Sequence, residues 1–169
     1  MKENSRLSKI HFICLLTLVL FLMSNKMTVM PGTASGNGNP ALLIVLILIP
    51  LMILMVTLWI RIMKIQFIKV KFLIVGMVLI VIHWIIAFIY QMREFEDYKE
   101  VIKNALLERN GVVSAEYLDD ITSIFSLNVN NQYFNLNTFF MFLTLSIFIA
   151  AFFCIWDRLE ESHTKSQNS

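Results

Sequence analysis

The chain has 169 residues, 57% of them apolar and 15% charged, with a formal net charge of +2. A soluble domain carries about 25% charged and about 45–50% apolar residues. The apolar excess is gathered into four blocks nearly free of charge, which excludes an ordinary soluble enzyme and points to membrane spans.

Residues 1–9 form a cytoplasmic N-terminal tail carrying Lys2, Arg6 and Lys9. The first apolar block, 10–23, is short for a span and close to the length of a signal-peptide core. Segment 10–30 is therefore expected to be a first transmembrane helix or a signal peptide cut near Ala34, and both readings stay open. Residues 31–40, rich in Gly, Asn and Pro, read as a flexible extracytoplasmic linker.

The second span, 41–60, reads ALLIVLILIPLMILMVTLWI. About 20 helical residues cover roughly 30 Å, the thickness of the hydrocarbon layer. Backbone groups in lipid must bond within their own segment, so helix follows despite the many β-branched residues. Pro50 removes one backbone bond and should bend this helix, as a static kink or as a hinge or cavity wall. The loop 61–71 carries Arg61, Lys64, Lys69 and Lys71. The third span covers 72–90, the fourth covers 138–156, and the tail 157–169 adds Arg158 and Lys165.

The clustering of Lys and Arg places loop 61–71 and the C-terminus in the cytoplasm, and the N-terminus too if the first segment is retained. Segment 91–137 is then outside, with four basic residues (Arg93, Lys99, Lys103, Arg109) against eight acidic ones (Glu94, Glu96, Asp97, Glu100, Glu108, Glu116, Asp119, Asp120). Trp59, Tyr90, Tyr133 and Trp156 fall near span ends, where amphipathic rings sit best. The acidic balance of the outer loop argues against nucleic acid or anionic lipid as its partner.

Within 91–137, Phe95, Tyr98, Ile102 and Leu106 recur at helical spacing. Asn110-Gly111 is a helix stop, and Ser114 can cap a short second helix bearing Leu118, Ile121 and Phe125. The following NVNNQYFNLN reads as a polar loop. Such a cap is too small to be stable alone, so its stripe must rest on span ends, on the membrane surface or on a partner. Phe95, Tyr98, Ile102 and Leu106 are the partner-surface candidates.

In the third span, Gly76, His83 and Ala87 lie close on one face, and Ser146, Ala150 and Cys154 make a matching stripe in the fourth. Small and polar residues on one stripe mark a helix contact in a membrane. His83 and Ser146 sit at similar depth, so a neutral His83 is expected to face Ser146 or Thr144.

Chemistry is otherwise sparse. No glycine-rich phosphate loop, HExxH or CxxC pattern occurs, and the blocks 10–23, 41–60, 72–90 and 138–156 contain no Asp, Glu, Lys or Arg. Proton- and ion-coupled carriers normally need such groups within the membrane. Cys14 and Cys154 read as packing residues, and His11 and His163 as exposed ones. The run EFEDYKE reads as a solvated helix face rather than a cation site. No catalytic residue, metal or cofactor is expected.

The expectation is an all-α integral membrane protein, a bundle of four transmembrane helices with a small helical extracytoplasmic cap. The Ile-, Lys- and Asn-heavy composition points to a bacterial cell membrane. The function expected is that of a non-enzymatic accessory protein that binds another membrane protein or itself. The alternatives are a subunit of a small oligomeric channel or transporter, and a membrane-embedded immunity factor.

Overall fold

The computed structural model describes residues 2–33, 38–124 and 126–167, excepting the side chains of 2–6, 162, 163 and 165–167. Ala34, Phe125 and the side chains of Lys2, Arg6, His163 and Lys165 lie outside the described residues. Helix α1 spans Lys2–Lys26, α2 spans Ala41–Ile65 and α3 spans Val70–Asn110. After a short α4 (Ala115–Ile121) come a 3₁₀ turn (Leu127–Val129), a single helical turn α5 (Asn130–Tyr133) and the long α6 (Leu136–Gln167). The result is an all-α bundle in which α1, α2, α3 and α6 are each long and apolar enough to cross a membrane.

α1 packs on α2, α2 on α6, and α6 on α3. One apolar core joins Phe21, Ala41, Ile44, Leu48, Phe134 and Phe139 near the capped end. Phe21 lies 5.6–5.7 Å edge-on to Phe134, Phe139 and Phe142, the geometry that aromatic quadrupoles favour. At the other end Ile10, Ile13, Met55, Leu58 and Ile62 close the α1–α2 seam. Thr17, fully buried there, bonds back to the Ile13 carbonyl at 2.8 Å. The segment that read as either span or signal peptide is thus an integral wall of this core.

Pro50 sits inside α2 but on its exposed side, with Leu46. The carbonyl that Pro50 leaves without an i+4 donor belongs to Leu46, on that same outward side. This position gives the proline no role as a wall of an internal cavity.

The third span and the first cap helix are one continuous helix of 41 residues, about 60 Å long. The apolar run ends near Tyr90, yet no helix breaker follows until Gly111. That glycine takes the left-handed conformation (φ 76°) and its N–H bonds the Leu107 carbonyl at 2.8 Å, a C-terminal stop that glycine adopts without steric cost. Ser114 then caps α4 by accepting the Tyr117 N–H.

The cap stripe is covered from within the chain. Ile102 and Leu106 are buried against Leu118 and Val129, with Phe95, Tyr98, Val113, Ile121 and Tyr133 around them. A partner-facing role for Ile102 and Leu106 does not agree with this burial. The segment 27–33 is also docked rather than loose. Arg109 donates to the Gly32 carbonyl at 2.8 Å, and Thr28 Oγ1 accepts the Asn131 N–H at 2.7 Å. Gly32 has φ 78°, and a Cβ there would stand 3.2 Å from Ala105 Cβ, so a side chain at this position would strain the backbone and crowd α3.

Candidate polar site at the capped end of the bundle

The stretch NVNNQYFNLN, expected to be a loop, is folded and hydrogen-bonded. It folds as the 3₁₀ turn, α5 and the start of α6, with Asn128 and Asn130 buried. Ser126 starts it by accepting the N–H of Asn128. Asn135 and Thr138 exchange bonds at the foot of α6, each side chain accepting the other residue's backbone N–H at 3.0 Å.

These amides tie four elements together. Asn39 and Asn130 pair side chain to side chain, at 2.7 and 3.0 Å in the two directions. Asn39 Oδ1 also accepts the Ala41 N–H at the start of α2. From α1, Asn25 donates to the Phe134 carbonyl at 2.8 Å. From α3, Gln91 donates to the Gln132 carbonyl at 2.8 Å, and its Oε1 accepts from both Asn135 and Asn137 at 3.1 Å. Asn137 donates as well to the Ala87 carbonyl at 3.0 Å. A buried amide left unpaired costs about 1–3 kcal/mol, and this network pairs these across the chain, with Asn131 Oδ1 left buried and unpartnered.

Between α1, α3 and α6 the network leaves an open cleft of about 500 Å³. Leu22, Tyr90 and Leu136 form its apolar side, and Asn25, Glu94, Asn131, Gln132, Asn135 and Asn137 its polar side. The apolar run of α3 ends at this level.

The helix-contact candidates separate into two groups. Ser146, Ala150 and Cys154 are buried, and Ala150 and Cys154 pack with Ala151, Leu73 of α3 and Met63 of α2. The α6 stripe therefore faces two helices at once. Ala87 is also buried. Gly76 is different: a Cβ added there would meet nothing within 4 Å, so no helix presses against it.

His83 does not bond Ser146 or Thr144. Ser146 donates to Leu143 of its own helix at 2.6 Å, and Thr144 accepts from Trp84 at 2.9 Å. The indole is one residue further round α3 and reaches deeper toward α6, where it lies 6.0 Å from the Phe148 ring. His83 Nε2 is buried and has no partner among the described residues.

At the opposite end Lys64 pairs with Asp157 at 2.6 Å, both exposed, a bridge worth about 0–1 kcal/mol. Arg158 donates to the Ile68 carbonyl at 2.6 Å and pins the α2–α3 turn. Phe67 in that turn has φ 48° and is 84% exposed. Cys14 and Cys154 are free thiols, and His11 is exposed. In the EFEDYKE run, Lys99 pairs with Asp119 at 2.6 Å. Among the described residues no three His, Cys, Asp or Glu side chains are grouped to hold a metal.

No protein-family profile, curated protein or solved structure matches this chain.

Proposed function

We propose that this multi-pass membrane protein is a non-enzymatic accessory protein of a bacterial cell membrane, acting by binding another membrane protein through its spans. The basic end would face the cytoplasm and the amide-rich cap the outside. One observation carries the reading. Only 11% of the most apolar window of α3 is buried within the chain, against 28% for each of the other three spans.

α3 packs on α6 along Leu73, Met77, Trp84, Ala87 and Gln91. Its remaining surface, including Val78, Ile82, Ile85, Ile86 and Ile89, is exposed apolar side chain. The cap then holds the outer half of α3 rigidly through Ile102 and Leu106. A long helix anchored at one end, with an uncovered apolar face and an open notch at Gly76, is a suitable rail for a second transmembrane helix.

The test is site-specific photocrosslinking in native membranes. A photoreactive residue at Val78 or Ile82 should give a discrete adduct with one other membrane protein. The same residue at Leu46 on the outer face of α2 should give lipid adducts only. A homo-oligomer adduct together with ion conduction in a bilayer would replace this reading with that of a channel subunit.

A further inference from the structure

We infer that the turn between α2 and α3 is a membrane-surface anchor that gathers anionic phospholipid, with Phe67 seated among the headgroups and Arg61, Lys69 and Lys71 meeting their phosphates. At the end of α2 the Phe67 N–H bonds the Lys64 carbonyl and the Ile68 N–H bonds the Met63 carbonyl, both at 3.4 Å. This pairing is the left-handed C-terminal stop in which glycine is the usual residue. Here the position holds phenylalanine at φ 48°, the one non-glycine residue with positive φ among the described residues. A bulky side chain enters that region against a steric cost.

The chain itself gives this ring little to pack on. Ile68 turns inward onto the core of Met63, Leu73 and Ala150. Phe67 is 84% exposed, more than any other large apolar side chain among the described residues. Its level follows from its neighbours. Arg158, which bonds the Ile68 carbonyl at 2.6 Å, stands two residues past Trp156, where the apolar run of α6 ends. That is about 3 Å along the helix, and the headgroup layer is about 5–7 Å deep on each side of the hydrocarbon. A ring held at this level meets headgroups rather than free water.

Charge selects the lipid. Loop 61–71 carries Arg61, Lys64, Lys69 and Lys71, all exposed, and no carboxylate. Lys64 is paired with Asp157. Arg61, Lys69 and Lys71 have no carboxylate partner among the described residues. Lys71 Nζ stands 5.1 Å over the Phe72 ring, itself exposed, so this cation is carried on an apolar group at the start of a span. The described carboxylates at this end, Asp157, Glu160 and Glu161, are all on α6. Exposed rings interleaved with unpaired cations fit a surface that is apolar below and anionic above, as a bilayer containing anionic phospholipid is. Each Lys or Arg at such a surface strengthens the attraction about fivefold.

The experiment uses the full chain in nanodiscs of equal phosphatidylglycerol and phosphatidylcholine with matched acyl chains. Native mass spectrometry then reads the lipids retained on gentle release. Phosphatidylglycerol should be kept about fivefold over phosphatidylcholine. The double substitution Lys69→Gln, Lys71→Gln should bring the ratio to within about twofold, with the thermal midpoint in detergent unmoved because both side chains are exposed. Phe67→Gly separates anchoring from folding. It should hold or raise the thermal midpoint, since glycine suits the left-handed position, and yet lower the ratio to within about twofold. A spin label at Phe67→Cys, with Cys14 and Cys154 replaced by Ala, should be less accessible to a water-soluble nickel chelate than one at Val112→Cys, whose native side chain is 81% exposed. Equal accessibility of the two labels would overturn the anchor. Equal retention of the two lipids, or a preference unchanged in both variants, would overturn the lipid assignment.

Discussion

Trp84 donates its indole N–H to Thr144 Oγ1 at 2.9 Å, and this bond joins α3 to α6 at the depth where His83 was the expected link. Hydrogen bonds between membrane helices contribute about 0.6 kcal/mol on average and about 1.7 at most. Trp84→Phe and Thr144→Ala should therefore each lower stability by about 1 kcal/mol, and the double variant should cost little more than either. His83→Asn or His83→Gln should leave assembly intact, since no bond is broken. Unfolding in detergent measures all five variants. Loss of assembly in the His83 variants, with Trp84→Phe harmless, would reverse the assignment.

Ile102 is 0% exposed and Lys103, its neighbour, is exposed. Ile102→Asp places an unpaired carboxylate under the cap and removes the packing with Leu118 and Val129. A loss of several kcal/mol is expected from such a buried charge. Lys103→Asp should change stability by less than about 0.5 kcal/mol. Limited proteolysis across residues 111–126 reads the difference, because an undocked cap exposes that segment. Equal cleavage of the two variants would show that the stripe is not packed.

The spans, the stop at Gly111 and the cap at Ser114 were legible in the sequence because each depends on neighbours in the chain. Apolar blocks, a left-handed glycine and a serine three residues before Tyr117 are local signals. The continuity of α3 was legible too, in the absence of any breaker between Gly76 and Gly111, but the change in polarity at Tyr90 disguised it. The amide network was not legible. Asn25 and Phe134, or Asn39 and Asn130, meet across most of the chain, and a run such as NVNNQYFNLN has the same composition whether water or other amides satisfy it. Trp84 was missed for a similar reason: a tryptophan beside a histidine gives no sign of which one turns inward.

The two ends of the bundle should label from opposite sides of the membrane. Val112 is 81% exposed beyond α3, and Gln66 is exposed in the turn between α2 and α3. With Cys14 and Cys154 replaced by Ala, Val112→Cys should react with an impermeant maleimide in intact cells. Gln66→Cys should react only after the cells are opened. The reverse pattern would overturn the orientation drawn from the Lys and Arg distribution.

Burial raises the Tyr133 phenol above its ordinary value. The folded cap therefore holds this proton more tightly than the unfolded chain does. The stabilisation is fully present below pH of about 10 and is lost as pH rises through the folded value. Tyr133 packs 6.1 Å from the Phe95 ring, so ionisation should loosen α5 from α3. Amide exchange in α5 should accelerate above pH of about 10 once intrinsic exchange is corrected for. Tyr133→Phe should remove that part of the acceleration; if it does not, another group controls the alkaline opening.

Asn130, 1% exposed, and Asn39 form the one reciprocal amide pair among the described bonds, and the pair fixes the start of α2 to α5. Asn130→Ala removes both bonds and should cost about 1–3 kcal/mol. Asn130→Asp should cost more, because it sets a buried acceptor against Asn39 Oδ1 in place of a donor. Asn39→Ala should carry a further penalty of about 1 kcal/mol, since Ala41 loses its acceptor at the helix start. Once Asn130 is already Ala, Asn39→Ala should cost little beyond that lost cap, as removing both partners leaves fewer unmet groups than removing one. A double-mutant cycle in detergent unfolding gives the coupling, and amide exchange at Ala41 reports the cap separately. Strict additivity of Asn39→Ala and Asn130→Ala would mean that the two amides do not act as a pair, and that α2 is positioned at this end by Phe21, Ile44 and Phe134 alone.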